Sequence, residues 1–529
     1  MGRLLVSLAV LGLLAATATA AAGTERSAPE LNALTIDNGG RPFAGDSGRL
    51  TTLSPNGDGY RDSAAIRFRL DREARVELRI SQAKPQPRTV YRVVRRLAPG
   101  RHHFVWSPKA SLAPRTYFAS FGLVDRGGRR RTYSASRLAR SGRSETVVVR
   151  LRGVDAAFGR ASYRPGDRAT LSVATDARRL TLQVLRAGRA PSRAVEPGAE
   201  VGEPVELDWS RRRDRAHRVT VPIGRWESGV YFARLTSDDG RVGYAPFVVR
   251  PRRLGEHLVA VVMPTFTWQA YNLWDENGDG FGETWYAAWK QRTVRLGRPF
   301  LGRGIPPWFR RYDLPFLRWL HVREQEVDVF SESDLARTSG KALARAYSLV
   351  VFPGHHEYVP APLYDAVERY RDRGGNLLFL SANNFFWKVA RRGSLLERTE
   401  IWRNLWRPEA GLIGAQYRGN DQGGRRAPFV VRSTRAAKWV FAETGLTPGS
   451  RFGRFGIEID GTAPTSPRGT QVLAEIPGLL GPGRTAQMTY YETPRGAKVF
   501  AAGAMDFTSR ALSAPVAQIL DNLWRRLAV

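Results

Sequence analysis

Two different patterns of apolar residues divide this chain near residue 250. In the first half, short segments such as residues 64–70 and 74–80 alternate apolar and charged side chains. A period of two places the apolar side chains on one face of a strand, which is typical of half-buried antiparallel sheets. Turns rich in Gly, Pro and Asp separate these segments, so we predict β-sandwiches for this half.

The second half contains continuous apolar runs instead. Residues 258–262 and 348–352 carry no charged side chain, as expected of parallel strands buried on both faces. Residues 360–375 place Leu363, Val367 and Tyr370 at helical spacing, and another apolar run follows at residues 376–380. This strand–helix–strand unit predicts a doubly wound α/β domain.

The N-terminus predicts the compartment. Arg3 precedes an apolar run over residues 4–15 and a series of small residues at 16–22, the pattern of a secretory signal peptide. We therefore expect a secreted or cell-envelope-associated protein. The predicted segments are a signal peptide over 1–22, an immunoglobulin-like β-sandwich over 31–146, a second β-sandwich over 147–252 and an α/β domain over 253–529.

Charge and cysteine content narrow the classes of partner and chemistry. The formal net charge is +33 at pH 7 and comes mostly from arginine. Either an anionic cell-wall surface is a partner, or the arginines are ordinary solvated surface charges. We expect no nucleic-acid partner, because the arginines are scattered and no basic helix is apparent. The sequence contains no cysteine, which excludes disulfides, thiolate metal ligands and a thiol nucleophile.

The segment LSPNGDGYRD at residues 53–62 resembles the start of immunoglobulin-like modules in flagellar hook-capping proteins and many exported bacterial proteins. That resemblance implies a spacer or adhesive module and not a catalyst. Asn56, Asp58 and Asp62 offer oxygen ligands for calcium, with a plain polar turn as the alternative.

A second acidic turn has the sequence DENGDGFGE at residues 275–283. Carboxylate and amide oxygens at alternate positions can surround a calcium ion, and glycine permits the sharp turn. The candidate ligands are Asp275, Asn277, Asp279 and Glu283. Because Tyr286 stands at the twelfth position, the turn is not an EF-hand, and a plain polar turn is again the alternative.

Candidate chemistry follows two predicted strands. The loop GHHEY occupies residues 354–358, and the loop SANN occupies residues 381–384. If the two strands are neighbours, roughly 5 Å apart, both loops face one cleft at the carboxyl ends of the strands. Such groups can bind a metal or move a proton, whereas a hydrogen-bonded turn with a structural histidine is the alternative. The candidate catalytic residues are His355, His356, Glu357, Asn383 and Asn384.

Five motifs in the same order resemble proteins similar to the C-terminal part of the N,N-dimethylformamidase large subunit. They are WQAYN at 268–272, PFLRWL at 315–320, GHHEY at 354–358, NNFFW at 383–387 and VFAAGAM at 499–505. The resemblance covers residues 255–529. It implies a class I glutamine-amidotransferase-like fold and amide hydrolysis with a mononuclear iron held by tyrosine and glutamate side chains.

The resemblance carries over residue by residue. Glu357 and Tyr358 match the family motif, and Tyr271 follows the first strand, so these three are the candidate ligands for iron, or zinc. His356 stands where the relatives have Asp, and Phe386 stands where they have Tyr, which removes one phenol. The cysteine nucleophile of the fold's glutaminase relatives is absent.

Two functions follow from this sequence. The first is a metal-assisted hydrolase of a small amide-like molecule, with Glu357 as ligand or general base, His355, His356 and Tyr358 as ligands or proton donors, and the two asparagines orienting the substrate. The second is a non-catalytic exported cell-envelope or ligand-binding protein that keeps the fold.

Overall fold

A computed structural model describes residues 27–40, 42–43, 45–82, 88–134, 146–189, 196–213, 215–276, 282–286 and 291–529. The predicted signal peptide lies outside the described residues, so export stays a prediction. None of the helices in the described ranges is long and apolar enough to cross a membrane.

The first β module (residues 31–151) consists of two sheets that share one core. Ile66 and Phe104 contribute to this core from one sheet, and Leu78 and Phe121 from the other. The smaller sheet contains Leu31–Asp37, Ala64–Leu70 and Gly100–Trp106. The larger sheet contains Leu50–Leu53, Val148–Leu151, Thr116–Val124, Ala74–Gln82, Thr89–Leu97 and Arg130–Tyr133.

The second β module (residues 155–249) repeats this two-sheet arrangement around its own core. Its smaller sheet contains Asp155–Phe158, Arg168–Ala174 and His217–Pro222. Its larger sheet contains Ser162–Tyr163, Val242–Val249, Gly229–Ser237, Arg179–Ala187 and Gly198–Asp208. The strand Val148–Leu151, which we predicted to begin this module, pairs with Leu50–Leu53 and Thr116–Val124 of the first β module instead.

The C-terminal region (residues 259–529) is built on one nine-stranded sheet. Its strands, in spatial order, are Asp328–Ser331, Val259–Met263, Leu349–Phe352, Asn376–Phe379, Lys498–Ala501, Ala486–Glu492, Gln471–Ile476, Arg426–Val431 and Arg451–Gly456. The first five are parallel and the remaining pairings are antiparallel.

Two small sheets and a set of mostly short helices complete the C-terminal region. One sheet contains Thr293–Arg295, Leu395–Ile401, Trp387–Arg392 and Tyr358–Pro360, and the other contains Gln416–Asn420 and Glu458–Gly461. The α-helices are Thr265–Ala270, Phe309–Tyr312, Leu314–Val322, Glu332–Leu335, Gly340–Ala346, Ala361–Arg371, Glu409–Ile413, Arg435–Val440 and Val516–Leu527. The 3₁₀ helices are Trp402–Leu405 and Phe507–Arg510.

We predicted two β-sandwiches followed by a doubly wound α/β domain of the class I glutamine-amidotransferase type, and this fold-class prediction is wrong. Strands hold 41% of the residues and helices 15%, so the chain is mostly β. A doubly wound fold needs a long parallel sheet with crossover helices on both faces. Here four strands of the nine-stranded sheet join by antiparallel pairing, and one face is not covered by helices alone.

The second β module covers part of that face. Val259 and Val261 share a buried cluster with Phe232 and Val248 of the second β module. The intervening residue Ala260 points to the opposite face and packs with the helices Gly340–Ala346 and Ala361–Arg371. One continuous hydrophobic core therefore joins the second β module to the nine-stranded sheet.

Glycine permits the closest approach between these two parts. The amide of Tyr244 donates a hydrogen bond to the carbonyl of Arg303, 2.8 Å away. Gly304 has φ +85°, and a Cβ at this position would lie 1.7 Å from the Tyr244 carbonyl oxygen. Any larger residue at Gly304 must push the two backbones apart.

We predict that Gly304→Ala destabilises the protein far more than Gly302→Ala. Gly302 has φ +83° but no heavy atom within 4 Å of the added Cβ, so it controls for backbone strain alone. The expected losses of unfolding free energy are about 1 kcal/mol for Gly302→Ala and about 3 kcal/mol or more for Gly304→Ala. Thermal and urea unfolding measure both; equal losses would contradict the close packing.

Candidate active site

The GHHEY loop links the strand Leu349–Phe352 to Tyr358–Pro360, and its side chains separate into two environments. The ring of His356 is fully buried, and its Nδ1 lies 2.9 Å from Oε1 of Glu332, which is also fully buried. Burial lowers the pKa of His356 well below its usual value and raises the pKa of Glu332 well above its own. Burial thus disfavours the charged form of each group, and the contact with Glu332 gives His356 a structural role in this loop.

Glu357 points the other way, toward two phenols. Its Oε2 accepts a short hydrogen bond from the hydroxyl of Tyr271, and the hydroxyl of Tyr358 also bonds to this carboxyl group. Burial raises the pKa of Glu357 to about 7, and repulsion from Glu458 adds to the shift. Near neutral pH this carboxyl group is thus able to give or take a proton.

His355 lies between two carboxyl groups. Its Nε2 is 3.2 Å from Oε2 of Glu458 and 3.8 Å from Oε2 of Glu357, without the alignment of a good hydrogen bond. Burial alone would lower the pKa of His355, but attraction to Glu458 and Glu357 outweighs it and raises the pKa above the usual value. The two acids therefore favour the protonated form of His355.

The paired asparagines have different roles. The side chain of Asn383 donates to Oε2 of Glu458 at 2.7 Å, and its backbone amide donates to Oδ1 of Asp460 at 2.8 Å. Asn384 accepts a bond from the backbone amide of His356 at 3.0 Å. Asn383 thus orients an acid of the site, whereas Asn384 holds the two loops together.

The two predicted loops lie against each other. Together with another strand they hold an acid cluster, defined here as Glu357, Glu458 and Asp460. The two acids that sequence reasoning missed lie on the strand Glu458–Gly461, where they alternate with an apolar residue. Burial, with repulsion from Glu409 and Glu458, raises the pKa of Asp460 to about 7. Acidic residues at alternate positions of a fully buried strand were the available signal, because an ordinary buried strand is apolar there.

A small cavity lies beside Tyr271 and His355, and no member of the acid cluster lines it. Its volume is about 10 Å³, enough for about one water molecule. Tyr271 and His355 line it together with Tyr312 and Asp313, which Leu314 separates from the PFLRWL motif and which were also missed. Burial raises the pKa of Asp313 to about 7, although a hydrogen bond from the Trp268 indole opposes this shift.

The donor chemistry of the cluster fits a hard cation held partly by phenol oxygens. In the described ranges, no three His, Asp or Glu side chains are arranged to hold a metal ion. A metal would therefore depend on Tyr271 and Tyr358 beside Glu357. Phenol and carboxylate oxygens are hard donors, and a cation would compensate the buried negative charge that raises these pKa values.

The acidic turn at residues 275–283 is only partly described. Asn277 and Asp279 lie outside the described residues. Asp275 is buried and lies 3.3 Å from Nη2 of Arg150 in the first β module, and Glu283 accepts a hydrogen bond from the amide of Glu276. The calcium prediction for this turn stays a prediction.

The turn that holds Asn56, Asp58 and Asp62 contacts the second β module. Asp62 accepts hydrogen bonds from three backbone amides of its own turn. Asp58 pairs with Arg213 at 3.1 Å, and the side chain of Asn56 donates to Asp239 at 2.8 Å. Calcium binding here also stays a prediction, and the turn has a structural role without it.

A family model described as N,N-dimethylformamidase beta subunit-like, C-terminal, matches residues 163–517, more than half of the chain. The chain belongs to this family. The match begins inside the second β module, in agreement with the core that the module shares with the nine-stranded sheet.

Two curated relatives carry the same name. The N,N-dimethylformamidase beta subunit of Paracoccus aminophilus is 26% identical over 280 residues, which cover 45% of this chain and 35% of the relative. That of an Alcaligenes species is 30% identical over 181 residues, which cover 33% of this chain and 23% of the relative. The matched part is thus about a third or less of each relative's length.

Solved structures add no information on fold. Trypsin-activated alpha-2-macroglobulin from Escherichia coli aligns with 43% of this chain and 18% of its own, at 14% identity and a TM-score of 0.25.

We predict that the metal-free protein loses stability as the pH rises from 5 to 8. The folded-state pKa of Asp460, about 7, exceeds its ordinary value of 3.8, so its protonated form stabilises the fold below about pH 4 and this contribution disappears as the pH passes 7. Asp460→Asn cannot ionise and should remove about 2–3 kcal/mol of that pH-dependent loss.

Melting temperatures at both pH values measure the effect. Asp521→Asn, which alters a surface ion pair with Arg323, is the matched control and should follow the parent protein. Parallel pH curves for the parent and Asp460→Asn would show that this carboxyl group ionises normally.

Proposed function

We propose that the C-terminal region is a metal-assisted C–N hydrolase of small amides. The observation that supports this most directly is the buried contact between Tyr271 and Glu357 beside His355. Membership of the N,N-dimethylformamidase beta subunit-like family agrees with it.

In this proposal, Tyr271, Tyr358 and Glu357 hold the metal, with iron as the first choice and zinc as the second. Tyr312 lines the same small cavity and offers one more phenol. When bound, the metal would polarise the amide carbonyl or activate water. Binding would also favour the ionised forms of phenols whose pKa values burial raises well above 10.

The protein's own groups would handle the proton. His355, whose pKa is raised by Glu458 and Glu357, is the nearest cationic donor for the amine that leaves. Asn383 holds Glu458 in place through its side-chain amide. His356 has no part in this scheme because its ring is fully buried against Glu332 and Phe352.

The surroundings favour a small, uncharged substrate. The described cavity beside Tyr271 holds about one water molecule, and its walls include Trp268, Trp308 and Pro264. An anionic substrate would be repelled by the acid cluster. N,N-Dimethylformamide, the amide after which the relatives are named, is therefore the first compound to test.

We predict that Tyr271→Phe and Glu357→Gln each reduce bound metal at least about tenfold and abolish amide hydrolysis, because each removes a ligand oxygen. The protein is reconstituted with ferrous iron or zinc and dialysed. Metal content is measured by mass spectrometry, and amine release from N,N-dimethylformamide and formamide is measured in parallel.

Tyr364→Phe is the matched control, because Tyr364 is a buried tyrosine that packs on Trp402 and Arg407 away from the acid cluster. It should retain both metal and activity. A folded parent protein that retains no metal and hydrolyses no amide would overturn the proposal.

That negative outcome would favour a non-catalytic binding protein. One observation already points that way. Phe386 replaces the family's tyrosine and packs on Trp387 and Tyr417, with the Arg403 guanidinium 5.1 Å from its ring centroid.

A further inference from the structure

A second cavity lies where the second β module meets the C-terminal region. Its volume is about 340 Å³, within the range of small-molecule sites. The strands Asp155–Phe158 and Val242–Val249 contribute one wall. The helix Thr265–Ala270 and the turn at residues 393–394 contribute the other. No member of the acid cluster lines it.

The lining combines apolar rings with positive charge. The apolar lining includes Leu296, which is partly exposed, and Phe158, Phe247, Phe266 and Phe300, which are almost fully buried. The described lining also includes five arginines and neither aspartate nor glutamate: Arg160, Arg250, Arg298, Arg337 and Arg391. A cavity with apolar walls whose charged lining residues are all cations suits a ligand with an apolar body and a negative charge.

Nearby acids do not balance these arginines. Arg337 and Arg250 share one carboxylate, Asp334, at 2.8 and 3.6 Å. Arg160 lies 3.7 Å from Asp167. The shared carboxylate leaves positive charge in excess at this end of the cavity.

The two remaining arginines bond to neutral groups. Arg298 is fully buried and donates to the carbonyl oxygens of Gln269 and Glu283. Arg391 donates to the hydroxyl of Ser333 at 3.0 Å and the carbonyl of Gly393 at 2.9 Å. In the part of the chain that the structure describes, no ion pair joins Arg391 to a carboxylate.

The electrostatics agree with this geometry. Burial lowers the pKa of Arg391, and repulsion from Arg337 lowers it further. Burial also lowers the pKa of Arg250; attraction to Asp334 opposes this shift, and repulsion from Arg164 and Arg337 adds to it. A bound anion would relieve this repulsion.

We propose that this cavity binds a small organic carboxylate carried on an aromatic or aliphatic body. The guanidinium of Arg391 would pair with the carboxylate, since planar guanidinium groups bind carboxylates through two parallel hydrogen bonds. The body would lie against Leu296 and Phe300. Inorganic anions would leave this apolar surface uncovered.

Calorimetric titration of the full chain with sodium benzoate and sodium phenylacetate tests the proposal. We expect at least one of them to bind the parent protein, and Arg391→Gln to weaken that binding about tenfold or more. Arg392→Gln is the matched control, because Arg392 is exposed like Arg391 but pairs with Glu397 at 3.6 Å and does not line the cavity. It should leave the affinity unchanged.

Two control ligands test whether binding needs both the negative charge and the apolar body, and one control variant tests where the ligand binds. Benzyl alcohol, which lacks the charge, and inorganic phosphate, which lacks the apolar body, should each bind at least tenfold more weakly than benzoate. Glu357→Gln should bind benzoate as the parent does, because the acid cluster does not line this cavity.

Several results would overturn the proposal. They are no binding of either aromatic acid, equal affinities of Arg391→Gln and Arg392→Gln, binding of benzyl alcohol or phosphate as tight as that of benzoate, and loss of benzoate binding in Glu357→Gln. The last result would move the carboxylate to the candidate active site. The inference does not depend on the proposed hydrolysis.

Discussion

The burial of both faces of the nine-stranded sheet is the constraint on which the other features depend. Alternate residues of Val259–Met263 pack against the second β module on one side and against helices on the other. The loops at the carboxyl ends of these strands therefore begin inside the protein. Polar side chains on those loops enter a dry environment, which is why their carboxyl groups hold protons near neutral pH.

Charge is distributed unevenly as a consequence. The chain carries a large excess of arginine, and much of it lies at or near the surface. The acid cluster, by contrast, is buried beside His355. Positive charge in excess of the nearby acids occurs separately, around Arg250, Arg337 and Arg391. The acid cluster and the arginine-lined cavity thus both lie beside one helix, Thr265–Ala270. The hydroxyl of Thr267 in this helix accepts a hydrogen bond from the backbone amide of Glu357.

Local features were predictable from the sequence, and long-range ones were not. The alternation at residues 64–70 and the helical spacing after residue 360 correspond to the strand Ala64–Leu70 and the helix Ala361–Arg371. The two polar loops meet as expected, because their parent strands are neighbours. Periodicity does not show which strands pair or which surfaces pack together. It therefore missed the antiparallel half of the nine-stranded sheet and the second β module that covers one face of that sheet. Glu458 and Asp460 reach the site on a strand that lies about 75 residues after Asn383 in the chain. His355 and His356 are adjacent in the sequence, which gives no sign that one faces the acid cluster and the other faces Glu332.

The contacts of the Asn56–Asp62 turn have a mechanical consequence. Ser54, Asn56 and Asp58 each bond to a different acidic or basic side chain of the second β module. That module in turn shares its core with the nine-stranded sheet. These contacts restrict the movement of the first β module relative to the rest of the protein. A molecule bound to the outer surface of the first β module would therefore be held at a fixed distance and direction from the candidate active site.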